Sequence, residues 1–181
     1  MSKRLNFTKI KNCQICNGKL EFVLSLGNQP LCDDLIKINS NKKNKLYPIN
    51  ILYCTKCITA YNEILVKPEN LFPKTYHYRS RLTEDVLNGM SDLVFDLKKD
   101  YGPLGGKKIL DIGCNDGSLL NFFKKEKSIT IGVEPTNSAK ESKNHEIYNN
   151  FFTKKIAKNI KKKYKKIDFL IFTNVFAHIN D

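Results

Sequence analysis

Residues 108–120 read Lys-Ile-Leu-Asp-Ile-Gly-Cys-Asn-Asp-Gly-Ser-Leu-Leu, in which one apolar run leads through a glycine-containing turn into another. The first run, Lys108–Ile112, has the character of a buried strand, and Ser118–Lys125 has the apolar spacing of a helix. Gly113 allows the turn to close, and Gly117 allows the backbone to approach a ligand at the helix N-terminus. This stretch therefore predicts a strand–turn–helix unit with a ligand-binding turn.

The sequence after this unit alternates between strand and helix patterns. The predicted strands are Ile129–Glu134, Glu146–Asn150 and Ile167–Asn174, and the predicted helices are Asn137–Lys143 and Lys154–Tyr164. Such alternation predicts an α/β fold with a parallel, Rossmann-like sheet and crossover helices. A further helix is predicted upstream, where apolar residues recur from Val86 to Tyr101 behind the capping residue Thr83.

The charged residues around the predicted turn favour a cationic ligand. Asp111 lies on the strand itself, where its carboxylate would repel a pyrophosphate, and Asn115 replaces the middle glycine of a dinucleotide-binding pattern. Glu134 ends the second strand, 17 residues beyond Gly117, where a carboxylate can accept two hydrogen bonds from a ribose diol. The pattern favours S-adenosylmethionine, which carries ammonium and sulfonium groups on a nucleoside, over a nicotinamide or other nucleotide.

Two Cys-x-x-Cys pairs precede this region, among short apolar runs that predict small strands. Cys13 and Cys16 form the first pair, and Cys54 and Cys57 form the second, with 37 residues between the pairs. Four thiolates at this spacing predict a tetrahedral zinc site that stabilises a small domain. An iron–sulfur cluster, redox pairs and disulfides are the alternatives. Cys32, between the pairs, is expected to be a small buried residue, with a role as a ligand as the alternative.

Composition limits the classes of partner. The chain has 181 residues and a net charge of +13, but 28 of its 31 basic residues are lysine, whereas base readout relies on arginine. This argues against nucleic acid as the partner. The eight lysines within residues 154–166 predict a solvated helix, with a polyanion-binding patch as the alternative. Neither a run of about 18 apolar residues nor a secretion signal is present, so we expect no membrane partner and a cytoplasmic location.

Together, these motifs resemble those of the sugar C-methyltransferase family. Besides the cysteine pairs, the resemblance is carried by residues 26–30 (Leu-Gly-Asn-Gln-Pro), 71–80 (Leu-Phe-Pro-Lys-Thr-Tyr-His-Tyr-Arg-Ser), 111–117, 132–136 (Gly-Val-Glu-Pro-Thr) and 174–181 (Asn-Val-Phe-Ala-His-Ile-Asn-Asp). The sequence patterns divide the chain into three parts, at 1–72, 73–102 and 103–181. The resemblance implies that the first is a zinc-binding domain and the third an S-adenosylmethionine-binding, class I methyltransferase domain, with a connecting segment and helix between them.

The resemblance also implies a reaction. Such enzymes methylate the carbon next to the ketone of a nucleotide-linked keto-deoxysugar, as a step in deoxysugar biosynthesis. A base removes the proton alpha to the ketone, and the resulting enolate carbon attacks the methyl group of S-adenosylmethionine. The enzyme must hold the enolate and S-adenosylmethionine in line, and it must stabilise the enolate oxygen.

Site residues carry over from the family position by position. The implied S-adenosylmethionine contacts are Asp111, Gly113, Asn115, Gly117, Glu134 and Asn174. Tyr76 and His178 are implied to face the sugar and to be catalytic. On the chain alone, Tyr76 is a packing residue and His178 a partly buried histidine with satisfied hydrogen bonds. His145 is expected at the surface, and Arg79 in local structure, with a diphosphate contact as the alternative.

The sequence stops at Asp181, just after the fourth predicted strand, whereas a class I methyltransferase sheet continues. We therefore expect the chain to be a truncated part of a full enzyme, with a second chain that completes the sheet as the alternative. The apolar run Phe169–Phe172 predicts a doubly buried central strand, which would otherwise be an exposed, aggregation-prone edge. Two other functions stay open: S-adenosylmethionine-dependent methylation of RNA or protein, and a non-catalytic zinc and basic binding module.

Overall fold

The computed structural model describes residues 7–179, which divide into one compact unit ending at Leu71 and a second beginning at Phe72. Residues 1–6 of the predicted zinc-binding domain, and the last two residues of the 174–181 motif, lie outside the described residues. Within the described part of the chain, no helix is both long enough and apolar enough to cross a membrane.

The first unit consists of short antiparallel strands. Its elements are β1 (Phe7–Lys9), β2 (Glu21–Pro30), β3 (Leu46–Cys54), β4 (Thr59–Asn62), β5 (Ile64–Val66) and the single-turn helix α1 (Pro68–Leu71). β1 pairs with β5, and β2, β3 and β4 form a second sheet in that order. Apart from two cysteines, the hydrophobic residues that are fully buried here are Tyr47 and Ile64. Because so small a core contributes little, this unit depends on a metal for its stability.

The second unit is a parallel sheet covered by helices. Its elements are α2 (Glu84–Tyr101), β6 (Lys108–Ile112), α3 (Ser118–Lys125), β7 (Ile129–Val133), β8 (Glu146–Tyr148), α4 (Lys154–Tyr164) and β9 (Phe169–Ile171). The strand order is β8–β7–β6–β9, and all three pairings are parallel. The predicted α/β fold with a parallel sheet is therefore confirmed.

The two central strands of this sheet, β6 and β7, are buried on both faces. On one face, Val94 of α2 and Phe123 of α3 pack with Ile109; on the other, Ile160 of α4 packs with Leu110. Strands covered on both faces by helices require apolar residues at successive positions, which is what β6 and β7 contain. The three layers place the loops after β6, β7 and β9 together at the carboxyl edge of the sheet.

Two predicted elements differ from the structure. The α-helix expected over Asn137–Lys143 is instead a 3₁₀ helix over Asn137–Glu141. It ends before Ser142, whose hydroxyl donates a hydrogen bond to the carbonyl of Asn115. Serine and asparagine favour such local alternatives to an α-helix. The fourth strand is also shorter than predicted, because β9 covers Phe169–Ile171 and the sequence pattern predicted Ile167–Asn174.

The fourth strand is an exposed edge in the described part of the chain, which is the second of the two outcomes stated for its apolar run. β9 pairs with β6, and Leu170 at its centre is 52% exposed, while Phe169 and Ile171 are half-buried. The reason is that, within the described residues, β9 forms the edge of the sheet.

Candidate cofactor site and metal centre

The four cysteines of the two Cys-x-x-Cys pairs meet in the first unit. Their Sγ atoms all lie within 4.8 Å of one another. The Sγ of Cys13 is 3.3 Å from that of Cys57, and the Sγ of Cys16 is 3.5 Å from that of Cys54. A tetrahedral zinc ion with Zn–S bonds of about 2.3 Å holds its sulfur ligands roughly 3.8 Å apart, so the cluster has the size of a zinc site.

The surroundings of the cluster also fit a zinc–thiolate centre. A Cβ atom at Gly18 would lie 3.2 Å from the Sγ of Cys16 and 3.3 Å from the Sγ of Cys54, so glycine leaves the room that the sulfurs need. The hydroxyl of Tyr61 lies 3.1 Å from the Sγ of Cys13. This hydrogen bond, together with burial, raises the pKa of Tyr61 to about 12. The hydroxyl therefore stays protonated and can donate a hydrogen bond to the thiolate of Cys13.

Cys32 lies outside this cluster. It is exposed in the irregular segment between β2 and β3, with its Sγ 3.4 Å from a carboxylate oxygen of Asp33. The expectation that Cys32 is buried is therefore wrong, because no apolar layer covers this segment in the described chain. The group of four ligands forms without it.

The turn between β6 and α3 has the tight backbone that its glycines predicted. Gly113, Asn115 and Gly117 have φ angles of 76°, 51° and 79°, in the left-handed region. A Cβ atom at Gly113 would lie 2.3 Å from the Cγ2 of Val175, and one at Gly117 would lie 2.8 Å from the Oγ of Ser142. Both positions therefore require glycine, and the turn can approach a ligand closely.

Asp111 carries an unsatisfied buried carboxylate. It lies on β6, is 1% exposed, and its Oδ1 atom has no hydrogen-bond partner among the described residues. Burial, together with the nearby charge of Glu134, raises the pKa of Asp111 to about 7. A buried oxygen of this kind is unfavourable unless a ligand donates to it. An ammonium group would supply both the donor and the opposite charge, so this residue fits the methionine end of S-adenosylmethionine.

Glu134 joins the turn to the end of β7. Its carboxylate accepts hydrogen bonds from the backbone N–H of Asn115 at 3.1 Å and of Thr136 at 2.8 Å. Each carboxylate oxygen can accept more than one hydrogen bond, so the group retains capacity for the hydroxyls of a ribose. Glu134 is buried beside the turn, which is where a nucleoside ligand would need it.

Asn115 binds the segment that precedes α2. Its Nδ2 donates to the carbonyl of Tyr78 at 3.1 Å, and its Oδ1 accepts from the backbone N–H of Ser80 at 3.2 Å. The side-chain amide therefore fastens this segment to the turn, a role that the sequence did not predict. Arg79 binds Glu141 and two carbonyls of its own segment, as expected for a residue of local structure.

Tyr76 and His178 are brought together by Phe72. The ring of Phe72 makes edge-on contacts with Tyr76, at 5.5 Å between centroids, and with His178, at 5.1 Å. Tyr76 is half-buried, whereas His178 is exposed, so it is not the partly buried histidine expected from the chain alone. Asn174 is exposed in the loop after β9, with a left-handed φ of 56°.

His145 is not a surface residue, contrary to expectation. It is half-buried, and its ring nitrogens lie 2.8 Å from the hydroxyl of Thr130 and 3.0 Å from the amide oxygen of Asn121. Burial and the charge of Lys124 lower the pKa of His145 to about 4, so the ring is neutral. Its ring supports the turn, because a Cβ at Gly117 would lie 3.1 Å from it.

Comparison with known proteins agrees with this geometry. Residues 77–181, more than half of the chain, match a family model described as a methyltransferase domain, and residues 13–72 match one described as a zinc binding domain. The protein named C-methyltransferase NovU, from Streptomyces niveus, is 24% identical over 178 residues, which make up 95% of this chain and 42% of that protein. The chain therefore spans less than half of the length of this relative.

The two family matches fall on the two sites described above. The first covers the four-cysteine cluster, and the second covers the glycine turn with Asp111 and Glu134. The chain therefore belongs to the methyltransferase domain family, in which S-adenosylmethionine is the methyl donor, and it carries a zinc-binding domain ahead of that domain.

Proposed function

We propose that this chain contributes the cofactor-binding part, and some of the acceptor-facing residues, of a C-methyltransferase that acts on a nucleotide-linked keto-deoxysugar. The observation that carries the methyltransferase part is the buried Oδ1 of Asp111 beside a glycine turn, which has no hydrogen-bond partner in the described part of the chain. Methylation at carbon is supported by the name of the Streptomyces niveus relative. The keto-deoxysugar is supported by the resemblance of the cysteine pairs and of residues 71–80 and 174–181 to sugar C-methyltransferases.

In this proposal the chain keeps the three parts predicted from its sequence. A zinc-binding domain occupies residues 1–72, a connecting segment with a helix occupies 73–102, and the cofactor domain occupies 103–181. Cys13, Cys16, Cys54 and Cys57 hold zinc in a structural role, because four thiolates leave no coordination position for a substrate.

The residues of the second unit bind and orient the donor. S-adenosylmethionine supplies, when bound, a methyl group on a positively charged sulfur. Asp111 accepts hydrogen bonds from its ammonium group, and Glu134 accepts them from its ribose hydroxyls. Gly113 and Gly117 let the backbone come close, Asn115 holds the turn in shape, and Asn174 lies near the methionine end.

The acceptor-facing residues are Tyr76 and His178. The exposed imidazole of His178 can take up the proton alpha to the ketone, and the hydroxyl of Tyr76 can donate to the enolate oxygen that forms. Their common contact with Phe72 supports a shared substrate, because it places side chains 102 positions apart in sequence around one ring.

Two measurements test the proposal. Isothermal titration calorimetry with the purified protein should show one S-adenosylmethionine site per chain, and a methyl-transfer assay of the enzyme to which this chain contributes should show methylation of a nucleotide-linked 4-keto-deoxysugar at carbon. Methylation of bulk RNA but not of the sugar nucleotide would replace the acceptor proposed here. Absence of S-adenosylmethionine binding by folded protein would overturn the donor as well.

A further inference from the structure

We propose that Glu141 is a positioning residue that fastens residues 78–81 onto the cofactor turn and links that turn to Tyr76. The inference rests on the proposed function, because it concerns how the S-adenosylmethionine site is held in shape. It assigns a positioning role to Glu141, Arg79, Arg81 and Asp116, a role that the sequence patterns did not predict for any of them.

Glu141 binds two arginines from the same segment. It ends the 3₁₀ helix after β7, and its Oε1 accepts from the Nε of Arg79 at 2.7 Å, while its Oε2 accepts from the Nη1 of Arg81. The hydrogen bond from Arg79 is the main reason that the pKa of Glu141 lies below its usual range. The carboxylate is therefore ionised at neutral pH and holds both guanidinium groups.

Arg81 extends this contact to the cofactor turn. Its Nη1 and its backbone N–H both donate to the Oδ2 of Asp116, each at 3.2 Å. Asp116 belongs to the turn, and its Oδ1 accepts from the hydroxyl of Ser118 at 2.6 Å and from its backbone N–H at 3.2 Å, at the start of α3. The same two chain segments are also joined by the hydrogen bonds of Asn115 to Tyr78 and Ser80.

Arg79 extends the contact in the other direction, toward the predicted substrate residue. Its Nη1 donates to the carbonyl of Tyr76 at 2.9 Å and to that of Tyr78 at 2.7 Å. Glu141 therefore holds the guanidinium that fixes the backbone of Tyr76. One carboxylate connects the loop after β7, the glycine turn after β6 and the backbone of an acceptor-facing residue.

Two buried members distinguish this network from an ordinary surface ion pair. The side chains of Arg79 and Asp116 are 15% and 1% exposed, so water competes weakly for their hydrogen bonds, whereas those of Glu141 and Arg81 are 34% and 50% exposed. Isolated, exposed ion pairs contribute little, whereas networks with buried members contribute more. The charges are also balanced, since Glu141 and Asp116 face Arg79 and Arg81.

The test is Glu141→Gln, which keeps the shape of the side chain and removes its charge. We expect the Kd for S-adenosylmethionine to rise about three- to tenfold, in line with the loss of a charge-assisted hydrogen bond. We also expect faster hydrogen exchange at the backbone N–H groups of Ser80 and Arg81. Glu141→Asp should restore part of the affinity. Glu146→Gln is the matched control, because Glu146 also pairs with a basic side chain, that of Lys163, which is not part of this network, and it should leave both readouts unchanged.

A second variant keeps the test decisive if Glu141→Gln does not fold. Arg81→Gln removes the side-chain bonds to Glu141 and Asp116 but keeps the backbone N–H bond to Asp116, and it should give a similar loss of affinity. If both single variants fold, the double variant should lose less affinity than the sum of the two single losses, because both variants break the same bond between Glu141 and Arg81. Unchanged affinity and exchange in the single variants, or fully additive losses, would overturn the role of Glu141. Failure of the unsubstituted protein to bind S-adenosylmethionine would instead count against the proposed function.

Discussion

At the scale of single residues, Asp111 is the position where ligand binding and stability oppose each other. Its carboxyl is buried without a donor to Oδ1, and its pKa is raised to about 7. A raised pKa means that this group favours the folded state below its unfolded pKa, near 4, and that this contribution is lost as the pH rises to about 7. The folded protein without ligand therefore carries an unfavourable charge at pH 8.

Asp111→Asn should consequently separate the two properties. We expect binding of S-adenosylmethionine to weaken at least tenfold, because the ammonium loses its counter-charge, while stability at pH 8 rises by on the order of 1–3 kcal/mol. Calorimetry and urea unfolding measure the two effects. Asp168→Asn is the control with the opposite sign. The carboxylate of Asp168 accepts from the backbone N–H of Lys108 at 2.9 Å, so this variant should lose stability. A less stable Asp111→Asn protein would contradict this account of Asp111.

The same carboxyl predicts how binding depends on pH. Below about pH 7 Asp111 takes up a proton and no longer attracts an ammonium group, so the affinity for S-adenosylmethionine should fall as the pH decreases from 8 to 6. The decrease should approach tenfold per pH unit at the acid end of this range. Asp111→Asn should show a flat profile over the same range. A flat profile for the unsubstituted protein would show that another group sets the affinity.

Tyr61 offers a test of the metal centre. Its hydroxyl donates to the Sγ of Cys13 at 3.1 Å, which offsets part of the negative charge that four thiolates place around a zinc ion. Tyr61→Phe should retain one zinc per chain but release it several-fold faster to a chromogenic chelator. Tyr53→Phe, on β3 of the same unit, is the control and should release zinc at the original rate. Equal rates for Tyr61→Phe would assign its hydroxyl no role in metal retention.

At the scale of elements, the turn between β6 and α3 differs from the other glycine turns in how crowded it is. Gly113 and Gly106 have similar φ angles, 76° and 74°, but a Cβ at Gly113 would lie 2.3 Å from Val175, whereas one at Gly106 has no atom within 4 Å. The two positions therefore share backbone strain and differ in packing.

Alanine substitutions at these two glycines isolate the effect of packing. Gly106→Ala should cost roughly 1–2 kcal/mol of stability through backbone strain alone. Gly113→Ala should cost about 1–3 kcal/mol more and should abolish S-adenosylmethionine binding, because the added Cβ collides with Val175 and the turn must shift. Thermal unfolding and calorimetry of both variants give the comparison. Equal losses of stability in the two variants would mean that Val175, in the loop after β9, can move away from the added methyl group without a cost in stability.

At the scale of the whole molecule, the edge of the parallel sheet is a surface through which the protein can self-associate. Leu170 of β9 is exposed beside an apolar cavity of about 290 Å³, whose lining includes Leu110, Phe152 and Ile160. An edge strand with an exposed apolar residue can pair with another chain.

Leu170→Lys should therefore reduce concentration-dependent association, because lysine on an edge strand opposes pairing. Analytical ultracentrifugation over a range of concentrations measures the effect. Phe95→Lys on α2 is the control, since Phe95 is also exposed but lies on a helix, and it should change association less. If the Phe95 variant is the more monomeric of the two, the contact surface is on α2 instead of β9.

The sequence by itself determined the parts of this protein that depend on local patterns. The apolar run of β6, the glycines of the turn and the bounds of α3 follow from spacing along the chain, because backbone conformation and helix periodicity involve neighbouring residues. The zinc cluster follows for a related reason: each Cys-x-x-Cys turn presents two sulfurs, and one metal needs two turns. Glu134 could be placed because one helix and one strand have a nearly fixed length.

Only the tertiary structure decided which distant side chains meet. Glu141 contacts Arg79 and Arg81, which lie about 60 positions earlier in the sequence, and no periodicity links these positions. The one sequence feature that could have indicated this network is that two of the three arginines of the chain lie within three residues of Tyr78. The exposure of Cys32 and the burial of His145 were likewise missed. The exposure of a residue depends on which other elements pack over its segment. A sequence pattern describes one segment at a time, so it does not show which elements pack together.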